Sequence, residues 1–194
     1  MNDSLYCYPD SDVLMNKLGI VRQDRLDEVE RQLTALRIRE LIHNPIRGGF
    51  DLQHLCDIHF YIFQDLYVWA GKLRKVDIAK GNMFCNVMFL EEQAKTIFGA
   101  IRKENELAGL EKAEFTKRLA YHFSEINALH PFREGNGRAQ REFIRELARH
   151  NNYLIDFSRA SANEMLIASK DSFLCNYEKM EALFHKCLIE QNRP

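Results

Sequence analysis

Apolar residues recur every three to four positions along most of this chain, which is the spacing of helices with one buried face. The longest such stretch runs from Glu111 to His130, so its apolar stripe ends beside the histidine. Ser161 and Glu164 have the spacing of a capping box at the start of a later helix. The pattern therefore predicts a mainly α fold. Asp24 and Asp51 are expected to cap two earlier helices, the second ending at Gly71, and further helices are expected to start at Glu91 and Arg138 and to span 177–189.

One stretch departs from helical spacing. β-branched and aromatic residues flank Lys80 and Gly81, a pattern typical of a β-hairpin. We predict a flap at residues 75–88, with strands at 75–79 and 84–88. Because an isolated hairpin is only marginally stable, the flap is expected to lie against the helices. Its large apolar side chains are assigned to the core rather than to a contact surface: Met83, Phe84, Met88 and Phe89.

Composition narrows the class of protein. Hydrophobic residues make up 46% and charged residues 28% of the sequence, which suits one globular domain over 1–194 with an N-terminal arm at 1–20. The formal net charge of −1 gives no reason to expect direct nucleic-acid binding. Five cysteines without a C-x-x-C pair favour a reducing compartment. No signal peptide or membrane span is visible, so we expect a cytoplasmic protein, with export into a host cell by another route left open.

Residues 130–141 have the features of a helix end, a tight loop and a new helix start. Pro131 disfavours helical geometry at the residue before it, so the incoming helix should stop there. Gly135 and Gly137 allow the backbone to turn sharply and to approach a ligand. Because unpaired N–H groups and the helix dipole point outward at a helix start, this loop is predicted to bind an anion.

Charged side chains around this loop indicate what the anion is. Arg138 and Arg141 are three residues apart and therefore share a helix face. His130 and Glu134 lie at the edges of the loop. Two arginines, a histidine and one carboxylate fit a nucleotide polyphosphate with a metal ion.

The run from His130 to Arg141 matches H-P-F-x-[D/E]-G-N-G-R-x-x-R at every defined position and so resembles the signature of the Fic family. Residues 5–20, 57–78 and 176–184 are also similar to single-domain bacterial Fic proteins, so the resemblance covers nearly the whole chain. It implies a Fido fold, which is a helical domain with a β-hairpin flap over the active site. The implied activity is transfer of AMP from ATP to a hydroxyl side chain of a target protein.

The resemblance also implies roles for the loop residues. His130 would be the general base that takes a proton from a Ser, Thr or Tyr hydroxyl, since imidazole titrates near neutral pH. Glu134, the only carboxylate in the loop, would hold Mg²⁺ on the ATP phosphates. The backbone of Gly135, Asn136 and Gly137 would surround the phosphates. Without the family pattern, a helix-terminal histidine and a solvated acid would be the simpler interpretation.

The arginines and the flap complete the implied site. Arg138 and Arg141 would hold the β- and γ-phosphates and stabilise the pyrophosphate leaving group. Solvated arginines paired with nearby glutamates are the commoner arrangement, and Arg145 is expected to follow it. Lys80 and Gly81 would contact the nucleotide or frame an extended target segment at the flap edge.

Position 137 separates two branches of the family. The Doc-like branch, which phosphorylates its target, has lysine where this chain has Gly137. A glycine leaves the anion pocket open and so favours AMP transfer.

Many Fic proteins are restrained by an inhibitory helix with the pattern [S/T]-x-x-x-E-[G/N]. Its glutamate pairs with the second arginine of the signature, here Arg141. This sequence does not contain the pattern. We therefore expect the toxin of a toxin–antitoxin pair, with a small antitoxin that supplies the helix in trans.

Two other functions stay open. The signature contacts phosphates rather than the base, so the donor could be UTP or CDP-choline. A catalytically silent module that binds a nucleotide or a partner would belong to a different class. The resemblance implies type II topoisomerase subunits such as gyrase B as targets, but no residue specifies one.

Overall fold

The computed structural model describes residues 5–191, apart from the side chain of Asn82, and the described part is mainly helical, as predicted. Two small antiparallel sheets accompany the helices. The helices are α1 Gln23–His43, α2 Leu52–Phe63, α3 Leu90–Lys103, α4 Lys112–Leu129, α5 Asn136–His150, α6 Ala162–Ser172 and α7 Glu178–Cys187. The strands are β1 Ala79–Lys80, β2 Asn82–Met83, β3 Tyr153–Ile155 and β4 Leu188–Glu190, and short 3₁₀ turns lie at Val87–Phe89, Asn105–Leu107 and Phe157–Arg159.

Helix α4 lies at the centre of the fold, packed against α3, α5 and α7. Its apolar stripe is buried, which follows from side chains repeating at the helical period. Helix α2 also packs on α5. The α4–α5 connection lies against α2, because His59 of α2 bonds to the Glu134 carbonyl. The buried stripe consists of Phe115, Leu119, Phe123, Ile126 and Leu129.

The N-terminal arm packs on the helices in the part that is described. Tyr6 and Leu14 are buried, and the Lys17 N–H donates to the Leu66 carbonyl. The first four residues of the predicted arm lie outside the described residues. Among the described helices, none is both long and apolar enough to cross a membrane.

Helix starts were predicted with mixed success. Asp51 caps α2 by accepting a hydrogen bond from the His54 N–H, and the predicted capping box of α6 is present. The Asp24 cap is wrong: α1 starts after Arg22, and the Asp24 carboxylate pairs with the Arg22 guanidinium. Helix α5 starts at Asn136, two residues before the predicted start, because Gly135 already makes the turn.

The predicted end of α2 at Gly71 is also wrong. The helix ends at Phe63, because Leu66 and Tyr67 both direct their N–H groups back to the Phe63 carbonyl and start a series of turns. Gly71 closes these turns at φ +76.

The flap exists, but its predicted strands at 75–79 and 84–88 are wrong. Each strand has two residues, paired as Ala79 with Met83 and Lys80 with Asn82. Side chains occupy the flanking backbone groups that longer strands would need. The Asp77 carboxylate accepts from the Val87 N–H, and the Arg74 guanidinium donates to the Val76 and Cys85 carbonyls. The flap is therefore a short hairpin on a base braced by side chains.

The expected burial of the apolar flap residues holds only for Phe84. Met83, Met88 and Phe89 are exposed. Met83 lies at the hairpin tip, which the short strands leave projecting from the helices, whereas Met88 and Phe89 lie in the 3₁₀ turn Val87–Phe89 that follows the hairpin.

The predicted continuation of the C-terminal helix to Ile189 is wrong. The helix ends at Cys187, and β4 pairs with β3 in the register Leu154 opposite Ile189. A continuous apolar run cannot distinguish a helix end from a strand, and the pairing partner lies far away in sequence.

Candidate active site

The loop between α4 and α5 begins at His130, which ends α4 in the left-handed region at φ 48 and ψ 59. A non-glycine residue is uncommon there, and surrounding bonds must hold it in place. The His130 N–H donates to the Ile126 carbonyl, and its own carbonyl accepts from Arg74 Nε at 2.8 Å. The His130 backbone is therefore held at both its N–H and its carbonyl.

Asn136 closes the loop internally. Its Nδ2 donates to the Phe132 carbonyl at 2.7 Å, and its Oδ1 accepts from the Phe132 N–H at 2.8 Å. Phe132 is fully buried and anchors the loop in the core. Because the Asn136 amide is committed to these bonds, its predicted contact with a nucleotide is left to the backbone N–H.

Gly135 turns the chain into α5 at φ +82, and a Cβ at this position would overlap the Phe63 ring. Both observations require glycine. The next two N–H groups, of Asn136 and Gly137, have no hydrogen-bond acceptor among residues 5–191. They open the 15-residue helix α5. The loop thus presents unpaired donors at the positive end of a helix dipole.

The His130 side chain is buried under the flap. The Phe84 ring stacks on the imidazole with ring centres 3.6 Å apart and planes 13° apart. Nδ1–H donates to the Asn127 carbonyl at 3.3 Å, which leaves the lone pair on Nε2. Burial, followed by the nearby charge of Lys80, lowers the pKa of His130 to about 4. The imidazole is therefore neutral at pH 7 and titrates well below the near-neutral range expected from the sequence, because burial disfavours its charged form.

Glu134 lies between two cations. Its Oε2 is 3.6 Å from Lys80 Nζ and its Oε1 is 3.8 Å from Arg138 Nη2. Burial by itself would raise the pKa of Glu134, but the Gly135 N–H, Lys80 and Arg138 together lower it below the usual value. The group is an ionised carboxylate at neutral pH.

Glu134 is the residue that the resemblance assigns to a magnesium ion. No cluster of three or more carboxylate, histidine or cysteine groups within residues 5–191 could form a metal site. Mg²⁺ commonly binds through one or two carboxylates together with substrate phosphates and waters. The ionised, one-third exposed carboxylate of Glu134 fits that mode, whereas the described part of the chain offers no all-protein metal cage.

The two signature arginines have different surroundings. Arg138 Nη2 lies 2.5 Å from Glu30 Oε1, Nη1 donates to Thr34 Oγ1 at 3.3 Å, and the guanidinium lies 4.7 Å from the Phe63 ring centre. For Arg141, the described residues supply neither a hydrogen-bond acceptor nor a carboxylate. Burial, together with the charge of Arg138, lowers its pKa. Arg141 is thus a partly buried cation without an anion among residues 5–191.

The remaining predicted residues are placed as follows. Lys80 reaches the loop through Glu134, whereas Gly81 forms the exposed tip of the flap at φ +85, with no atom within 4 Å of a Cβ position. Gly137 faces the Arg141 guanidinium, since a Cβ would lie 3.3 Å from Nη1. Arg145 pairs with Glu142, as predicted, but the pair is largely buried rather than solvated.

Sequence reasoning missed four residues that hold the site: Glu30, His59, Arg74 and Phe84. His59 Nε2–H donates to the Glu134 carbonyl at 2.9 Å, and its Nδ1 accepts from the Gly71 N–H at 2.9 Å. Burial lowers its pKa to about 4. His59 lies within the apolar stripe of α2, and a buried polar group needs partners. The polar His59 within an apolar stripe could therefore have indicated a bonded residue. The sequence holds no such sign for Glu30 and Arg74, which bond to residues far away in sequence.

The chain matches several known proteins over nearly its whole length. Protein adenylyltransferase VbhT of Bartonella schoenbuchensis is 45% identical over 95% of this chain, which spans 39% of that protein. The probable protein adenylyltransferase Fic of Escherichia coli is 37% identical, with 95% of this chain and 92% of that protein covered. Both relatives are named as protein adenylyltransferases, which is the enzyme class predicted from the sequence.

A solved structure shares the fold. The BepC protein of Bartonella tribocorum, a VirB-translocated effector crystallised with bound AMPPNP, superposes with a TM-score of 0.92 at 26% identity, covering 97% of this chain and 98% of that one. The family model described as Fic/DOC family matches residues 49–148, more than half of the chain. The predicted helical fold with its flap is thereby confirmed, and the chain belongs to the Fic/DOC family.

Proposed function

We propose that this chain is a protein adenylyltransferase, which transfers AMP from ATP to a hydroxyl side chain of a target protein. The observation that carries the proposal is Arg141, a cation without a partner in the described structure, next to the open N–H groups of Asn136 and Gly137. A polyphosphate would supply the missing negative charge. The names of the relatives and the AMPPNP bound to BepC support ATP as the donor.

In this proposal His130 is the general base. Its Nε2 carries the lone pair because Nδ1–H is bound to the Asn127 carbonyl. As the target oxygen attacks the α-phosphorus, Nε2 takes the hydroxyl proton, the new P–O bond forms, and the bond to pyrophosphate breaks. The low pKa keeps the base unprotonated over the whole neutral range.

The phosphate groups would lie along the start of α5. The N–H groups of Asn136 and Gly137 bind phosphate oxygens, and Arg141 balances the charge that develops on pyrophosphate. Arg138 adds the N–H groups that Glu30 and Thr34 leave available. Glu134 would hold Mg²⁺, which when bound neutralises phosphate charge. Glycine at position 137 leaves room beside Arg141.

The target would be presented by the flap. The flap tip is exposed at Lys80, Gly81 and Met83. It contacts the signature loop through the ion pair between Lys80 and Glu134. An extended target segment could pair with the flap edge through main-chain hydrogen bonds. Gyrase B, the target that the resemblance implies, is the first protein to test.

Labelling with three donors tests this function. The chain and its His130→Ala variant are incubated with labelled ATP, UTP or CDP-choline and a cell lysate or purified gyrase B. We expect ATP-dependent protein labelling that His130→Ala abolishes. His185→Ala is the control, because it alters an exposed histidine on α7, and it should label like the wild type. Label from UTP or CDP-choline alone would assign another donor, and no label with any donor would favour a silent binding module.

Control by a separate antitoxin is the finer part of the proposal. Arg141, which has no partner among the described residues, is where an inhibitory glutamate would bind, and this sequence does not contain the inhibitory pattern. A synthetic helical peptide that carries S-x-x-x-E-G should inhibit labelling, whereas the same peptide with Gln in place of Glu should not. Equal inhibition by both peptides would refute the role of Arg141 as the control point.

A further inference from the structure

Glu30 on α1 is bound to the signature helix although it lies 108 residues from Arg138 in sequence. Its Oε1 is 2.5 Å from Arg138 Nη2, and its Oε2 accepts a hydrogen bond from the Tyr67 hydroxyl. The side chain is 14% exposed. Both oxygens of a largely buried carboxylate therefore have donors, which makes the Glu30 position well defined.

Arg138 lies between two carboxylates at unequal distances. Glu30 is at 2.5 Å, while Glu134 is at 3.8 Å from the same Nη2. Lys80 lies on the far side of Glu134 at 3.6 Å. The charges thus alternate from α1 to the flap. If Glu30 no longer held Arg138, the guanidinium would have to move by only about 1 Å to pair closely with Glu134 at ordinary hydrogen-bond distance.

Two further contacts, one from α1 and one from α2, orient the Arg138 guanidinium. Thr34, one turn after Glu30, donates its hydroxyl to the Glu30 carbonyl and accepts from Arg138 Nη1. The guanidinium also lies over the Phe63 ring. A planar fork held at two nitrogens and one face has little rotational freedom.

We propose that Glu30 is a positioning residue, which holds Arg138 away from Glu134 and so keeps the Glu134 carboxylate available to a divalent cation on the nucleotide. This inference rests on the proposed function. It adds a residue of α1, outside the signature, to those that determine how the site binds metal and nucleotide. The opposite role would be a brake, in which Glu30 competes with phosphate for Arg138.

Glu30→Gln tests the proposal, because it removes the charge and keeps the size of the side chain. Glu28→Gln is the matched control, since Glu28 is on the same helix and pairs with Arg25 at a half-exposed position. Binding of a fluorescent ATP analogue is titrated with Mg²⁺, and AMP transfer is measured in parallel. A charged hydrogen bond contributes enough for a change of about tenfold or more. We expect Glu30→Gln to raise the half-saturating Mg²⁺ concentration and lower transfer by that factor, with melting temperature reported alongside.

A double variant separates positioning from a purely structural role. If Glu30 acts through Arg138, adding Glu30→Gln to Arg138→Gln changes Mg²⁺ dependence no further. Independent, additive effects would overturn the proposal. So would a Glu30→Gln variant that equals the wild type, or one that is more active, which would make Glu30 a brake.

The failure of the proposed function is distinguishable from the failure of this inference. If the wild type neither binds the ATP analogue nor labels protein, the proposed function fails. The hold on Arg138 is then measured by NMR of its guanidinium, which should rotate slowly in the wild type and in Glu28→Gln and freely in Glu30→Gln. Equal rotation in all three proteins refutes the inference on its own.

Discussion

The signature loop and the flap face each other across His130, yet they are built in opposite ways. In the loop, Phe132 is fully buried and both of its backbone polar groups are bound by the Asn136 amide. In the flap, two-residue strands project a tip whose Lys80 and Met83 are exposed. The loop is held by contacts from several helices, whereas the tip is held by its own short ladder.

This difference fits the two ligands that the proposed reaction requires. A polyphosphate presents the same charged oxygens in every turnover, so rigid donors that need no rearrangement serve it best. A protein target brings its own backbone and side chains, which a projecting hairpin can accommodate at low energetic cost. Phe84 connects the two regions, because its backbone belongs to the flap and its ring stacks on the His130 imidazole.

The largest expected effect compares two glycines with the same backbone conformation. Gly135 has φ +82 and Gly81 has φ +85, but a Cβ meets the Phe63 ring only at position 135. Alanine in this region costs about 1 kcal/mol, and overpacking adds about 1–3 kcal/mol. Gly135→Ala should therefore lower the free energy of unfolding by about 2–4 kcal/mol and abolish labelling, whereas Gly81→Ala should lower it by about 1 kcal/mol. Urea denaturation measures both, and equal losses would contradict the comparison.

The same two regions explain what the sequence could predict. The loop follows from neighbouring residues: Pro131 stops α4, and the glycines start α5. The flap strands depend on Arg74 and Asp77, whose side chains take the backbone groups that longer strands would have used. Local propensity contains no information on such bonds.

The candidate site follows the same division. The signature places His130 and Glu134 without knowledge of the fold. The residues that orient them come from distant elements, as Glu30 does from α1 and His59 from α2. A buried polar side chain could be expected to have a partner, but its identity depends on tertiary packing.

A second, intermediate effect concerns the contact between flap and loop. The pKa of His130 is lowered to about 4, first by burial, to which the stacked Phe84 ring contributes. A base is active when unprotonated, so labelling should stay constant from pH 8 down to about pH 5 and fall near pH 4. Phe84→Ala admits water and moves the pKa back towards its ordinary value of about 6.5, so activity should already fall below pH 7.

Phe84→Leu is the control for this pH profile, since it keeps an apolar cover over the imidazole. Rates are measured at pH 5.5 and 7.5, and the ratio between them separates a shifted pKa from a general loss of activity. An unchanged ratio in Phe84→Ala would mean that the flap does not control the protonation of His130.

The smallest effect on the fold, and a selective effect on function, is expected at the flap surface. Met83 and Met88 are 69% and 83% exposed, so replacing both by serine should change the free energy of unfolding by no more than about 0.5 kcal/mol. Binding of an ATP analogue should also be unchanged, because neither side chain belongs to the loop. If the flap presents the target, KM for the target protein should rise several-fold in Met83→Ser/Met88→Ser, and Leu166→Ser, which alters an exposed apolar residue on α6, should leave it unchanged. A rise in KM for ATP instead would mean that the flap belongs with the loop to the nucleotide site, and that the division between a rigid phosphate site and an adaptable target site is wrong.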